Sequence, residues 1–384
     1  MKFSVLLPTR NRVDLLRYAI ESVRRQNHGD WEVVVSDNDS ADGTAAYVRS
    51  LGDARIRYIR SPQFVPVTDN WNNALAASRG DYVVMLGDDD CLLPDYFSKL
   101  TRLIEEFGRP DLIYVQAVQY AYPGVIPGNP KAFVQTGYCE FLEGRREPFV
   151  LSREQARSAV DKSMALQLSF SYNMQHSLVR RAAIERLAPH GPFFQSPYPD
   201  YYATNVMLLT SESVLVVPEP LVAIGISPKS FGHFYFNGRE AEGTALLNNM
   251  GESSIPVEVR ATLLPGNALI TCWYAAMACI ERNFGSEYGV RTDPRRYRQA
   301  QVLYTDRRAG KAVIRELWSK LTPRERLRYG SKRLAFEIGR RVLPLPIRKL
   351  WRRLAVFPPF DPGKREVEYR TILELFESYG KIPR

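Results

Sequence analysis

Three apolar runs in the first ninety residues lack the in-and-out alternation of a half-exposed strand: Phe3-Ser4-Val5-Leu6-Leu7, Trp31-Glu32-Val33-Val34-Val35 and Tyr82-Val83-Val84-Met85-Leu86. Such runs read as strands buried on both faces. Segments with helical spacing separate them. Residues 14–25 place Leu15, Leu16, Ala19, Ile20 and Val23 on one face. Residues 44–51, 70–78 and 94–107 read as further helices, and 55–59 and 112–120 as further strands. Alternating strands and helices, with strands buried on both sides, predict an α/β fold: a mostly parallel sheet with helices on both faces. Ligands of such sheets bind at the carboxyl ends of the strands. Pro8-Thr9, Asp37 and Asp88-Asp89-Asp90 all fall at that edge.

Three consecutive carboxylates are expensive to hold together. Two unit charges about 4 Å apart repel by roughly 4 kcal/mol at an effective dielectric near 20. The cluster is therefore either a well-solvated turn or a cation site. Hard divalent ions prefer carboxylate and phosphate oxygens, and Mg²⁺ is commonly held by one or two carboxylates plus substrate phosphates.

The remaining chain sets the frame. Its 384 residues suit two domains, or one α/β domain with an appendage. The pattern weakens from residue 120 to 195, where Pro123, Pro127 and Pro130 mark a loop. Helices are expected over 154–164, 182–187 and 201–209, with strands over 175–179 and 214–217. Beyond Gly225 the pattern is mainly helical, which divides the chain into 1–225 and 226–384. The cysteines at 91, 139, 272 and 279 have no metal-ligand or disulfide spacing, and no secretory signal opens the chain. They read as reduced thiols of a cytoplasmic protein. Residues 261–280 lack charge, but Pro265, Gly266 and Asn267 interrupt them, so a buried helix is expected rather than a membrane span.

Residues 320–353 hold twelve basic side chains against Glu325 and Glu337, an excess equal to the whole chain's formal charge of +10. Apolar residues and Trp351 are interleaved with them through position 354. A basic amphipathic segment of this kind fits peripheral contact with an anionic membrane, here on the inner face of the cytoplasmic membrane; the alternative is a solvated helix face. No recognition motif points to nucleic acid.

Four pieces in order resemble the family 2 glycosyltransferases, which have the GT-A fold, a Rossmann-like α/β architecture. They are Ser4 to Arg12, Val34 to Thr44, Asn72 to Gly80, and Val84 to Asp90 followed by Pro94. The resemblance implies inverting transfer of a sugar from a nucleotide diphosphate sugar, UDP foremost, to a hydroxyl acceptor, with Mg²⁺ or Mn²⁺ and in bacterial surface glycan synthesis. A polysaccharide or lipid-linked oligosaccharide is the acceptor it implies. It places Pro8, Thr9, Arg10 and Asn72 at the nucleotide, Asp37 on the base, and Asp88 on the ribose. Asp89 and Asp90 take the metal, and His233 is a late metal ligand. Gly87 stands where an aspartate is commoner. Asp200 holds the place of the general base; its alternative is a helix N-cap. Asp42 is expected to cap the helix near Thr44, and Lys229 and Arg12 could meet phosphate.

Two rivals remain. A nucleotidyltransferase also uses carboxylates and Mg²⁺, but Pro8-Thr9-Arg10-Asn11-Arg12 lacks the glycines such enzymes show after the first strand. A nucleotide-sugar-binding protein without turnover would fit the single carboxylate at Asp200.

Overall fold

The computed structural model describes residues 1–125, 128–237, 239–249, 255–305, 310–342 and 365–379. The apolar runs form β1 (Phe3–Thr9), β2 (Trp31–Asp37) and β4 (Tyr82–Met85), with β3 (Ile56–Arg60) beside β2. All four are parallel, in the order β3-β2-β1-β4. Their inward residues are fully buried, Val5, Leu7, Val33 and Val35 among them. Helix α1 (Val13–Arg24) covers one face with Leu16, Ala19, Ile20 and Val23. Helix α3 (Val67–Ala77) covers the other with Ala74 and Leu75.

The sheet continues past β4 with mixed sense. β9 (Ser177–Arg180) lies antiparallel between β4 and β6 (Leu112–Ala121), and β7 (Ala132–Thr136) is antiparallel on the far side of β6. The long β10 (Val214–Ile226) runs parallel to β6 and also pairs with the short β5 (Cys91–Leu92) just beyond the acidic triplet. Within the 120–195 region β7 is a strand the pattern does not show, and β9 lies close to the strand expected over 175–179. The β7 strand is recognisable only through its partners, because Ala132-Phe133-Val134-Gln135-Thr136 is short and follows Pro130. Residues 126 and 127 of that region lie outside the described residues.

Past β10 the described chain is mainly helical, as the pattern indicates. The uncharged stretch becomes part of α11 (Ala268–Tyr288), capped by the Asn267 side chain. Its Ile270, Trp273, Met277 and Ile280 share one core with Leu6, Val34 and Met85 of the sheet. No described helix is long and apolar enough to cross a membrane. All four cysteines are buried and unbridged.

The division at 225/226 does not separate two cores. A strand, β11 (Arg365–Val367), pairs antiparallel with β7, and the helix Ile372–Ser378 buries Ile372 and Leu375 against Leu15 and Tyr120. The chain thus returns to the sheet at its end. Of the basic segment 320–354, only the part through α14 (Pro323–Val342) is described.

Candidate active site

Strand register assembles the site. Thr9 stands opposite Asp37, and Leu6 opposite Met85, so the residues just past β1, β2 and β4 meet at one edge. There the Thr9 hydroxyl donates to Asp88 Oδ2 (2.8 Å). Arg12, at the start of α1, donates to Asp88 Oδ1 (2.8 Å). A cavity of about 520 Å³ opens on this edge. Pro8, Thr9, Arg10, Arg12, Asn38 and Asp88 to Asp90 line it, together with Asp200, Trp71, Tyr198 and Tyr201.

The three aspartates are buried and have separate partners. Asp90 Oδ2 accepts the Gly87 N–H (2.9 Å) and Gln175 Nε2–H (2.5 Å); its Oδ1 accepts the Gly225 N–H (2.8 Å). Its carboxylate thereby ties three chain segments together while also lining the cavity. Asp89 accepts the Ser227 hydroxyl on Oδ2 (2.7 Å). Burial raises the Asp89 carboxyl, opposed by Arg12; burial and then Asp89 itself push Asp90 well up. A cation here would relieve that strain.

The donor chemistry fits a hard divalent ion. Asp88 and Asp89 offer carboxylate oxygens on the cavity wall. Among the described residues no three His, Cys, Asp or Glu side chains are placed to hold a metal together. An ion at Asp88 and Asp89 would need further oxygens from a bound ligand, as Mg²⁺ bound with phosphates does.

Gly87 is explained by the same geometry. A Cβ there would overlap Asp90 Oδ2, so the aspartate commoner at this place has no room. Gly225 is similarly confined, since a Cβ would overlap the Asp89 carbonyl oxygen.

Several expected contacts fall elsewhere. Asp37 is fully buried; Oδ2 accepts the Tyr58 hydroxyl (2.6 Å) and Oδ1 the Ser40 N–H (2.9 Å). It lies outside the cavity wall, where its neighbour Asn38 appears instead. Burial and that bond push the Tyr58 hydroxyl up to about 12. Asn72 also misses the wall: its amide brackets the Phe194 backbone (2.9 and 3.2 Å). Asn70, two residues earlier, lines the cavity and bonds Ser36. Asn70 shares the buried face of α3 with Ala74, and that spacing was the available signal. His233 Nδ1 lies 3.1 Å from the Val125 carbonyl oxygen, off the wall and away from the aspartates' partners. Asp42 accepts the Thr44 N–H and the Val13 N–H (both 3.0 Å), serving the first residues of two helices, while Gly43 takes the N-cap place. Arg10 stacks on Phe64, with its guanidinium carbon 3.7 Å from the ring centre.

Asp200 lies in the first turn of α7 (Pro199–Thr210) and is not its N-cap residue; that is Tyr198, without a side-chain bond. Its Oδ1 accepts the Tyr201 N–H (3.0 Å). Burial pushes its carboxyl up to about 7. A carboxylate with that value suits proton abstraction near neutral pH.

Residues 4–160 match the model of glycosyl transferase family 2. Over this stretch the chain is similar to that family. The GalNAc(5)-diNAcBac-PP-undecaprenol beta-1,3-glucosyltransferase of Campylobacter jejuni is 39% identical over 108 residues, which is 27% of this chain and 35% of that protein. The UDP-Glc:alpha-D-GlcNAc-diphosphoundecaprenol beta-1,3-glucosyltransferase WfgD of Escherichia coli is 30% identical over 87 residues, 23% of this chain and 34% of that one. The chain thus spans about a third of each of these two relatives. Among solved structures, S. aureus TarS 1-349 in complex with UDP superposes with a TM-score of 0.48 at 16% identity, covering 89% of this chain and 92% of that one.

Proposed function

We propose that this chain is an inverting glycosyltransferase that moves a sugar from a nucleotide diphosphate sugar, with UDP the first candidate, to a hydroxyl of a lipid-linked glycan acceptor. The observation that carries the reading is one cavity bounded by Asp88 and Asp89 and by Asp200. The family match of residues 4–160 and the lipid-linked substrates in the names of the two relatives support it.

In this reading the donor diphosphate lies over Asp88 and Asp89. Mg²⁺ or Mn²⁺, when bound there with the diphosphate, neutralises charge on the leaving phosphate. Asp88 holds the ribose side, with Thr9 fixing its Oδ2; Arg12 bonds its Oδ1 before the donor arrives. Asp200 takes the proton from the acceptor hydroxyl, and Trp71 and Tyr201 line the same cavity. Tyr198 and Leu269 line it as well.

The exposed face of α14 supports peripheral contact with an anionic membrane. Arg324, Leu327, Arg328, Ser331 and Leu334 recur at helical spacing and are exposed, Leu327 by 79% and Leu334 by 61%. The opposite face packs inward through Tyr329 and the Arg298–Glu325 pair. Arginines beside protruding leucines match an anionic bilayer surface.

The test is product formation. The purified chain is incubated with UDP-glucose, UDP-N-acetylglucosamine or UDP-galactose, Mn²⁺ and a synthetic undecaprenyl-diphosphate-linked sugar. Mass spectrometry should find the acceptor extended by one sugar, and Asp200→Asn should slow product formation by roughly 10²- to 10⁴-fold. Extension by Asp200→Asn at the wild-type rate would refute Asp200 as the base.

A further inference from the structure

Arg12 is the cation already present among the carboxylates. Its Nη1 donates to Asp88 Oδ1 (2.8 Å), its side chain is 15% exposed, and it lines the cavity with the three aspartates. Its Nη2 donates to the Lys229 carbonyl oxygen. The Lys229 ammonium in turn donates to Asp14 Oδ1 (2.9 Å) and to the Asn11 carbonyl (3.3 Å). The segment following β10 is thus fastened across the start of α1 at both ends of Lys229. One step away, Ser227 holds Asp89. A guanidinium that bonds a buried carboxylate and a carbonyl together occupies the oxygens a metal would use first.

We propose that Arg12 is a positioning residue that guards Asp88, so that a divalent cation enters this site together with a nucleoside diphosphate and not alone. The inference rests on the glycosyltransferase reading of the site. Two observations combine. The described residues provide no three-ligand set, so a cation without a diphosphate is held by few protein oxygens. Arg12 also already neutralises Asp88, so a lone cation must displace a charge-assisted hydrogen bond. An arriving diphosphate changes both conditions. It adds oxygens for the cation and offers the guanidinium two phosphate oxygens of matching fork geometry. Arg12 can then leave Asp88 without losing a partner, and the Lys229 carbonyl is released with it. The donor would thereby loosen the 227–230 segment that borders the cavity.

The experiment is Mn²⁺ binding by the full chain, read by electron paramagnetic resonance of the free ion, with and without UDP. Wild type should bind Mn²⁺ weakly alone and about tenfold or more tightly with UDP. Arg12→Gln should bind Mn²⁺ alone about tenfold more tightly than wild type does. Arg12→Gln combined with Asp89→Ala should lose that gain, which places the ion at this site. Arg12→Lys keeps the charge but cannot bridge Asp88 and the Lys229 carbonyl, so it should shift in the same direction by less. It serves where the glutamine variant melts too low. Wild type that binds Mn²⁺ alone as tightly as Arg12→Gln overturns the proposal, as does Mn²⁺ binding by neither protein under any condition. Stabilisation of the chain by UDP in a parallel melting measurement keeps the donor reading intact in either case. Its absence would place the failure in that reading.

Discussion

Single residues decide how the acidic triplet is used. Asp90 bonds Gly87, Gly225 and Gln175, and its carboxylate fills the space a side chain at 87 would need. Gly87→Ala should therefore destabilise the fold by about 1–3 kcal/mol, through overpacking against a fixed carboxylate. Urea denaturation of the two proteins measures it, and equal midpoints would show that Asp90 can move aside. Asp200 sets the pH behaviour. As the base it must be ionised, so turnover should rise with pH through about 7 and level off above. Asp200→Asn should lower kcat by roughly 10²- to 10⁴-fold and remove that rise. The same group has a stability signature. Its folded-state value is raised, so its contribution is full below the ordinary value of 3.8 and lost as pH rises through about 7. Asp200→Asn should accordingly melt higher than wild type at pH 8, with the gain shrinking toward pH 4.

At the scale of elements, the parallel half was legible and its continuation was not. β1, β2 and β4 announce themselves because each is a continuous apolar run, and α1 because its apolar residues repeat along one face. Those are local signals. β7 and β11 are recognisable only once Val134 meets Arg365, across more than two hundred residues of chain. The same distinction governs the site. Charge density at Asp88 to Asp90 is visible in sequence, and so is Asp200 after its prolines. Which aspartate faces a ligand depends on Gln175, Gly225 and Ser227, brought in by β9 and β10, and no local pattern assigns those partners. Asp37 was legible as a strand-end acid, yet its partner Tyr58 comes from β3 and takes the oxygen expected to meet a base. The returning helix Ile372–Ser378 yields its own prediction. Removing residues 365–384 uncovers Leu15 and Tyr120 and breaks the Arg25–Glu377 pair, so the melting temperature should fall. An unchanged melt would mean that the sheet is complete without β11.

For the whole molecule, positive charge is concentrated far along the sequence from the acidic triplet. The carboxylates gather at the strand ends, while the excess of basic residues lies in 320–353. That separation fits an enzyme held at an anionic surface by one part of the chain and working on a donor at another. Truncation after residue 320 is a poor test, because it also removes the returning strand and helix. A cleaner one changes only the exposed face of α14. Arg324→Glu with Arg328→Glu should weaken binding to phosphatidylglycerol vesicles by about tenfold or more, at about 1 kcal/mol per basic residue near the surface. Leu327→Ser with Leu334→Ser should weaken it further. Flotation reads both, and retention of both variants at the wild-type level would leave α14 a solvated helix.

The central claim is that Asp88 and Asp89 bind a nucleotide diphosphate together with a divalent ion. The most direct measurement is thermal stability with UDP, GDP, dTDP and CMP, each with and without Mn²⁺, for wild type and Asp89→Ala. One diphosphate should raise the melting temperature of wild type in a Mn²⁺-dependent way, and Asp89→Ala should lose the Mn²⁺-dependent part. Stabilisation by none of the four, or an equal Mn²⁺-dependent rise in Asp89→Ala, would contradict the claim.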